Sequence, residues 1–347
     1  MSLKKERREQ IEKAIFDAIG VHYKGTALVQ SNFARDFGIS AQSVSRIIKN
    51  LEKSGRLIIQ KNGRNTIYSL PTERKLQTYE IKGLTEEKVY NELVADFIRD
   101  IPMCAKNNFA YAFTEILNNA IEHSNGTMVQ VSLWRNECDI SFAIADDGVG
   151  VFTKVAESLN LEDKRYAIFE LAKGKFTTDP GSHSGEGIFF SSKCGDYFTL
   201  ESDGLIFDTR STMESLCEHV SNHQSGTTVL FKINTNHQQT LAELFKQYTD
   251  APDSYGFSKT SVPIRLLEYG DASPVFVSRS QARRLIARLE RFETVILDFS
   301  GIDSIGQGFA DEIFRVFQRN HPHVKLTPVN CTDEVNQMIR HVMHNKS

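Results

Sequence analysis

At 347 residues, 40% of them hydrophobic and 24% charged, the chain is too long for one ordinary core and has the balance of a globular protein of two or three domains. No stretch approaches the roughly 18 apolar residues of a membrane span, the opening KKERREQIEKAIFDAIG has no apolar run after its charges, and the five cysteines form no CxxC pair. These features argue against a membrane protein, a signal peptide, a zinc site and a disulfide framework, and a cytoplasmic location is expected. The net charge of −3 conceals an asymmetry: residues 1–75 hold fifteen Lys and Arg against seven Asp and Glu, a local +8 that leaves −11 for the rest. A basic end on an acidic chain points to an anionic partner, nucleic acid first, although a solvated basic surface has the same composition.

The first elements predicted are helical. Ile11, Ala14, Ile15, Ala18 and Ile19 share one face of a helix from about Lys4 to Ile19. A short helix, SNFARDFG, follows, with Gly38 beyond its end. ISAQSVSRIIKNLEKSG then places Ser40 as N-cap, Val44, Ile47, Ile48 and Leu51 as the buried stripe, and Gly55 as the stop. RLIIQ and TIYSL around KNGRN read as two strands joined at Asn62-Gly63. Helix, turn, helix and basic hairpin resemble the winged helix-turn-helix family over residues 1–72. The outward face of the third helix then offers Gln42, Ser43, Arg46, Lys49 and Asn50 to a major groove, and the wing offers Lys61, Arg64 and Asn65 to phosphate or minor groove. A winged helix used as a protein-interaction module is the alternative.

Pro71 and the polar run TERKLQTYEIKG mark a linker, residues 73–84, to a second segment at 85–250. That segment opens with helical EEKVYNELVADFIRDI and FTEILNNAIEHS. Strands follow in MVQVSLW and CDISFAIA, then an acidic-glycine turn, helices, the loop KGKFTTDPGSHSGEG, and strands in DYFTLES, LIFDT and TTVLFKI. Helices with a largely antiparallel sheet imply an α/β sandwich. The third segment, 255–347, alternates strand (SPVFVS, TVILDFS, VKLTPVN) with helix (SRSQARRLIARLERF, SIGQGFADEIFRVFQR and a last helix to about His344), a small α/β layer.

Four motifs in the second segment carry chemistry. In FTEILNNAIEHS, Glu115 and Asn119 are one helical turn apart on a single face, with Asn118 and Glu122 as a second such pair. A carboxylate and an amide oxygen suit Mg²⁺ on a nucleotide's phosphates, or the carboxylate can act as a general base; a solvated helix face is the plain alternative. Asp146-Asp147-Gly148-Val149-Gly150 ends an apolar strand, placing a carboxylate able to read an exocyclic amine beside glycines that admit close approach, although DDG also occurs in ordinary turns. Gly181-Ser182-His183-Ser184-Gly185-Glu186-Gly187 runs into a helix and is a phosphate cradle that does not match a P-loop. Ser225-Gly226-Thr227-Thr228 opens the last strand with hydroxyls.

In this order the four motifs resemble the GHKL (Bergerat-fold) ATP-binding family, shared by gyrase, the MutL repair proteins, histidine kinases and anti-sigma-factor kinases, over residues 85–235. The resemblance implies that Asn119 holds Mg²⁺ and Glu115 is the general base. It implies that Asp146 binds the adenine amine beside Gly148 and Gly150, that Gly185 and Gly187 wrap the phosphates, and that Thr227 supports the adenine contact. The bound species would be ATP and Mg²⁺. No phospho-accepting His box precedes Phe113, so a histidine kinase is disfavoured. A weak ATPase and a serine protein kinase of the anti-sigma-factor type remain. GHKL proteins act as dimers, so a homodimer is an open expectation.

TVILDFSGIDSIGQGFADEIFRVF resembles the STAS-like domain that often follows such ATPase domains, a docking place for a protein partner. It is similar, more loosely, to STAS antagonists that carry a phosphorylatable Ser after an Asp. The matching position is Ser304 after Asp303, although IGQG replaces the usual SSG. Ser304 is thus either a phosphoacceptor or the cap of the following helix. The expected whole is a multidomain α+β chain: winged helix, GHKL α/β sandwich and small α/β STAS-like domain. ATP in the second would gate the DNA-binding first and the third. The alternative is a kinase acting on Ser304 or on a partner's STAS domain.

Overall fold

Isoleucines one helical turn apart give α1 (Leu3–Gly20) a stripe of Ile11, Ile15 and Ile19, and that stripe buries against Val44, Ile48 and Leu51 of α3 (Ala41–Lys53). Between them lies α2 (Gln30–Asp36). The chain turns at Gly38 with a φ of 57°, a left-handed geometry that a Cβ disfavours. Ser40 caps α3 by accepting from the Ser43 amide at 3.2 Å. The hairpin β1 (Ile58–Asn62) and β2 (Asn65–Ser69) closes this unit, with Leu57, Tyr68 and Leu70 in its core. The computed structural model describes residues 3–20, 30–63, 65–176, 185–209, 215–218, 225–249, 257–269 and 276–344.

Among those residues the chain is mixed α/β with three sheets, of two, seven and three strands. The largest is antiparallel throughout, in the order β3-β4-β5-β9-β6-β7-β8. Its members are β3 (Glu73–Glu80), β4 (Met128–Arg135), β5 (Asp139–Asp146), β6 (Tyr197–Ser202), β7 (Leu205–Asp208), β8 (Ser215–Glu218) and β9 (Thr227–Asn234). One face is covered by helices: α4 (Glu86–Val89), α5 (Met103–Asn118), α6 (Val151–Leu159), α7 (Ala167–Lys173) and α8 (Gly187–Ser191). At its heart Phe109 and Phe113 of α5 meet the Phe142 ring edge-on, and Phe142 stacks on Phe231. After α9 (Leu241–Gln247) comes the third sheet, parallel β10 (Lys259–Pro263), β11 (Thr294–Asp298) and β12 (Lys325–Val329). It carries α10 (Arg279–Ile286), α11 (Gln307–Asp311) running through a wide turn into α12 (Gln318–Asn320), and α13 (Asp333–His344).

The structure corrects three readings. Residues 73–84 are no linker: 73–80 form β3, so the sheet starts ahead of 85–250. As an edge strand it buries only Tyr79, so it shows no apolar alternation; Lys75 instead sets its ammonium 5.3 Å over the Phe97 ring and donates to the Leu93 carbonyl. SRSQARRLIARLERF is not one helix, because α10 stops at Ile286 and Arg288 adopts a left-handed φ of 66°. SPVFVS is no strand, because among its described residues only Phe276 pairs, in a single bridge to Ile305, and the third sheet begins instead with β10. The hydrophobic core also runs unbroken from the seven-stranded unit into the third sheet, through Phe189, Phe190, Tyr248, Phe257 and Phe292. By contrast the N-terminal unit keeps its own core and takes in one outside residue, Cys138 of the β4–β5 turn. Arg56 locks that joint, with a forked contact to Glu137 at 2.7 and 3.1 Å and a bond to Glu12 at 2.9 Å.

Candidate functional site

A cleft of about 300 Å³ opens where the C-terminal ends of α5 and β5 meet α6, α8 and the start of β9. Of the residues expected to bind, Glu115, Asn119, Asp146, Gly150, Gly185, Gly187 and Thr227 all line it. Four chain segments up to 112 residues apart therefore converge. Gly148 lies just behind the wall, where a Cβ would come 2.1 Å from the Ser124 carbonyl oxygen, so only glycine lets the turn pack on the end of α5.

Asp146 and Asp147 have opposite duties. Asp147 points away and ties the turn to the start of β4, accepting from the amides of Thr127 (2.7 Å) and Met128 (2.9 Å) and from the Thr127 hydroxyl (2.7 Å). These bonds favour its charged form and lower its pKa. Asp146 faces the cleft. Its Oδ1 accepts from the amides of Gly148 at 2.9 Å and Thr227 at 3.3 Å, an arrangement that leaves Oδ2 to the cleft. Burial raises its pKa against those bonds. Gly226 completes this corner with a φ of 88° and a position where a Cβ would lie 1.9 Å from the Asp146 carbonyl oxygen. The Thr227 hydroxyl accepts from the Val151 amide at 3.0 Å, joining β9 to the start of α6.

α5 changes pitch at Asn119, continuing as a wide π turn through His123. Such widened turns cluster at functional sites. The Asn119 Nδ2 is buried without a hydrogen-bond partner, on a residue that lines the cleft. Asn118 and Glu122, the second pair, are not among the lining residues. The Glu115 carboxylate reaches the start of α8, where a Cβ on Gly187 would sit 2.2 Å from its Oε2. The glycine thus brings an open backbone beside the carboxylate. Gly185 has a φ of 72° and packs on the Phe176 backbone. Residues 181–184 of the loop expected to cradle phosphate, and 177–180 before them, lie outside the described residues.

Sequence reasoning missed His123, Lys154 and Phe176 in the wall. Lys154, on α6, donates to the His123 carbonyl, and burial lowers its pKa. Its place four residues after Gly150 was the available signal. The apolar remainder, including Ile116, Ile144, Val155, Leu171 and Val229, forms a slot suited to a flat ring system.

The other expected sites lie elsewhere. Gln42, Arg46, Lys49 and Asn50 are exposed along α3 and Lys61 is exposed on β1, while Ser43 is half-buried in the capping contact with Ser40. Arg64 falls outside the described residues. Ser304 is exposed, and it does not cap the following helix: Gly306 holds that position and gives its amide to the Phe276 carbonyl. No helix among the described residues is long and apolar enough to cross a membrane.

The fold and cleft define a mixed α/β protein with a ligand-sized site at the end of an antiparallel sheet and a parallel-sheet unit packed beside it. Residues 281–336, from α10 to the start of α13, match the family described as a STAS-like domain of unknown function (DUF4325). No curated protein matches the chain.

Proposed function

We propose that the chain is a regulator that binds ATP and Mg²⁺ in this cleft, as GHKL proteins do, and uses occupancy to govern a DNA-binding winged helix and the STAS-like domain. The observation that supports it best is the Asp146 corner: a buried carboxylate fixed by two backbone amides, at the end of an apolar slot, opposite Glu115 and Asn119. Oδ2 then accepts from the adenine amine. Asn119 would hold the metal through its amide oxygen, the hard ligand that Mg²⁺ takes. The glycine backbone at 185 and 187 lies against the phosphates. Mg²⁺ supplies charge neutralisation on the phosphate oxygens when bound. Glu115 takes a proton from the attacking water.

Incubation with γ-labelled ATP tests this directly. Release of free phosphate is expected, and Glu115→Ala is expected to cut it by about 100-fold or more while ATP affinity stays within a few-fold. Absence of ATP binding by the intact chain overturns the reading. Label retained on the protein and lost in Ser304→Ala makes the chain a serine kinase instead. For the α3 face, the Arg46→Ala, Lys49→Ala double variant is expected to weaken duplex DNA binding irrespective of sequence and to flatten the slope of log affinity against log salt by about 2, near 0.9 per phosphate contact. An unchanged slope removes these two residues from the interface.

A further inference from the structure

The end of α7 both walls the cleft and carries the polar joint to the STAS-like domain. Leu171 and Phe176 line the cleft. Between them Lys173 is fully buried, its ammonium donating to Glu170 (2.8 Å) and to the carbonyls of Ala287 (2.8 Å) and Arg284 (3.4 Å) across the joint. Thr260 of β10 donates its hydroxyl to the Lys173 carbonyl at 2.7 Å.

Two residues later Lys175 takes a left-handed φ of 55°, and it meets Arg288, whose φ is 66°. Neither is glycine, and each such backbone costs about 1 kcal/mol or more. The contacts of Arg288 show what that strain secures. Its Nη2 donates to the Lys175 carbonyl at 3.3 Å, its Nε lies 3.4 Å from Glu170 Oε2, and its guanidinium sits 5.5 Å over the Phe176 ring. Phe176 in turn backs the glycine turn of the cleft, because a Cβ on Gly185 would lie 2.3 Å from the Phe176 carbonyl oxygen. One arginine of the STAS-like domain thus holds a wall residue of the cleft, and that residue holds Gly185.

We infer that Arg288 is a positioning residue for the nucleotide cleft: it fixes Phe176, and through Phe176 the Gly185 turn, so that nucleotide affinity depends on the docked STAS-like domain. The inference rests on the nucleotide reading above. Coupling of this kind is reciprocal, so a bound nucleotide also tightens the docking. A residue that served only to glue the units would change stability and leave affinity alone.

The test titrates the full chain and its variants with Mg²⁺ and ATP carrying a fluorescent ribose label, at a temperature where each variant is folded. Arg288→Ala is expected to weaken binding about tenfold, within the usual range of coupling between sites. Arg288→Lys keeps a charge beside Glu170 but loses the planar fork and the stacking, so it is expected to behave nearly as Arg288→Ala and serves if the alanine variant does not fold. In a Phe176→Ala background, the Arg288 substitution is expected to add nothing further. Affinity within twofold of the parent for Arg288→Ala or Arg288→Lys, or full additivity with Phe176→Ala, overturns the inference while leaving the nucleotide reading intact. No binding by the parent chain removes both.

Discussion

Asp146→Asn is expected to weaken ATP binding by about 100-fold, ~3 kcal/mol, while leaving the chain folded. Oδ1 of the parent carboxylate accepts the Gly148 and Thr227 amides. In the variant those two donors hold the amide oxygen in the same place, and the Nδ2 must face the cleft. A donor then meets the donating adenine amine, so the variant loses one hydrogen bond and gains a repulsion. Inosine triphosphate, which presents an acceptor oxygen at the same ring position, is expected to gain affinity as ATP loses it. Calorimetric titration with both nucleotides checks this, and parallel losses for both sink it.

The same substitution has a pH signature with a definite sign. Burial raises the Asp146 pKa above that of the unfolded chain. Between the two values the native state holds a proton that the unfolded state has released, so stability falls as pH rises through that window and stays lowered above it. Asparagine carries no charge to desolvate. Its melting temperature is therefore expected to exceed the parent's at neutral pH, with the advantage disappearing in acid where the parent carboxyl is protonated. Thermal melts across pH measure it, and an advantage that persists unchanged in acid contradicts the burial argument.

Three polar residues that line the cleft, Glu115, Asn119 and Asp146, were legible because each interrupts a strong apolar pattern. Glu115 and Asn119 break the buried periodicity of α5, and Asp146 ends the run ISFAIA. What the pattern left open was direction. Two adjacent aspartates look alike in sequence, and only the Thr127 and Met128 amides decide that Asp147 is the structural one. The break at Arg288 was invisible for a related reason: ARRLIARLERF carries no Gly or Pro, and the turn is imposed by contacts with Lys175 and Glu170, more than a hundred residues away. Lys173 opens the run KGKFTTDPGSHSGEG, read as a loop, and is instead the fully buried end of α7. Cys138 likewise sits in a polar turn, NEC, yet fills the core of the N-terminal unit.

These placements rank the two proposed outputs. The N-terminal unit grips the β4–β5 turn through Arg56 and Cys138, at the Asp139 end of β5. Asp146 is at the other end, seven residues or roughly 23 Å along the strand. A signal from the cleft must cross the sheet to reach that unit. The STAS-like domain, in contrast, touches the cleft wall itself at Phe176. Nucleotide is therefore expected to act first on the STAS-like domain and only through the sheet on the helix–hairpin unit.

Lys173→Ala puts the largest expected stability cost at that joint. The parent ammonium satisfies Glu170 and two carbonyls in a place that water does not reach. Removing it leaves Glu170 with Arg288 at 3.4 Å and strips the Arg284 and Ala287 carbonyls of a charged donor. Breaking a buried pair from one side costs about 3–5 kcal/mol, which for a chain of this size lowers the melting temperature by about 4–7 °C. Lys173→Met refills the space without supplying a proton donor, so its loss is expected to be smaller but not absent. Hydrogen exchange locates the effect: amides of β10 and α10 are expected to lose protection, while those of β4 and β5, held by the Phe142 and Phe231 core, keep theirs. A Lys173→Ala protein within about 1 kcal/mol of its parent would mean that the aromatic contacts of Phe257 and Phe292 hold the joint alone.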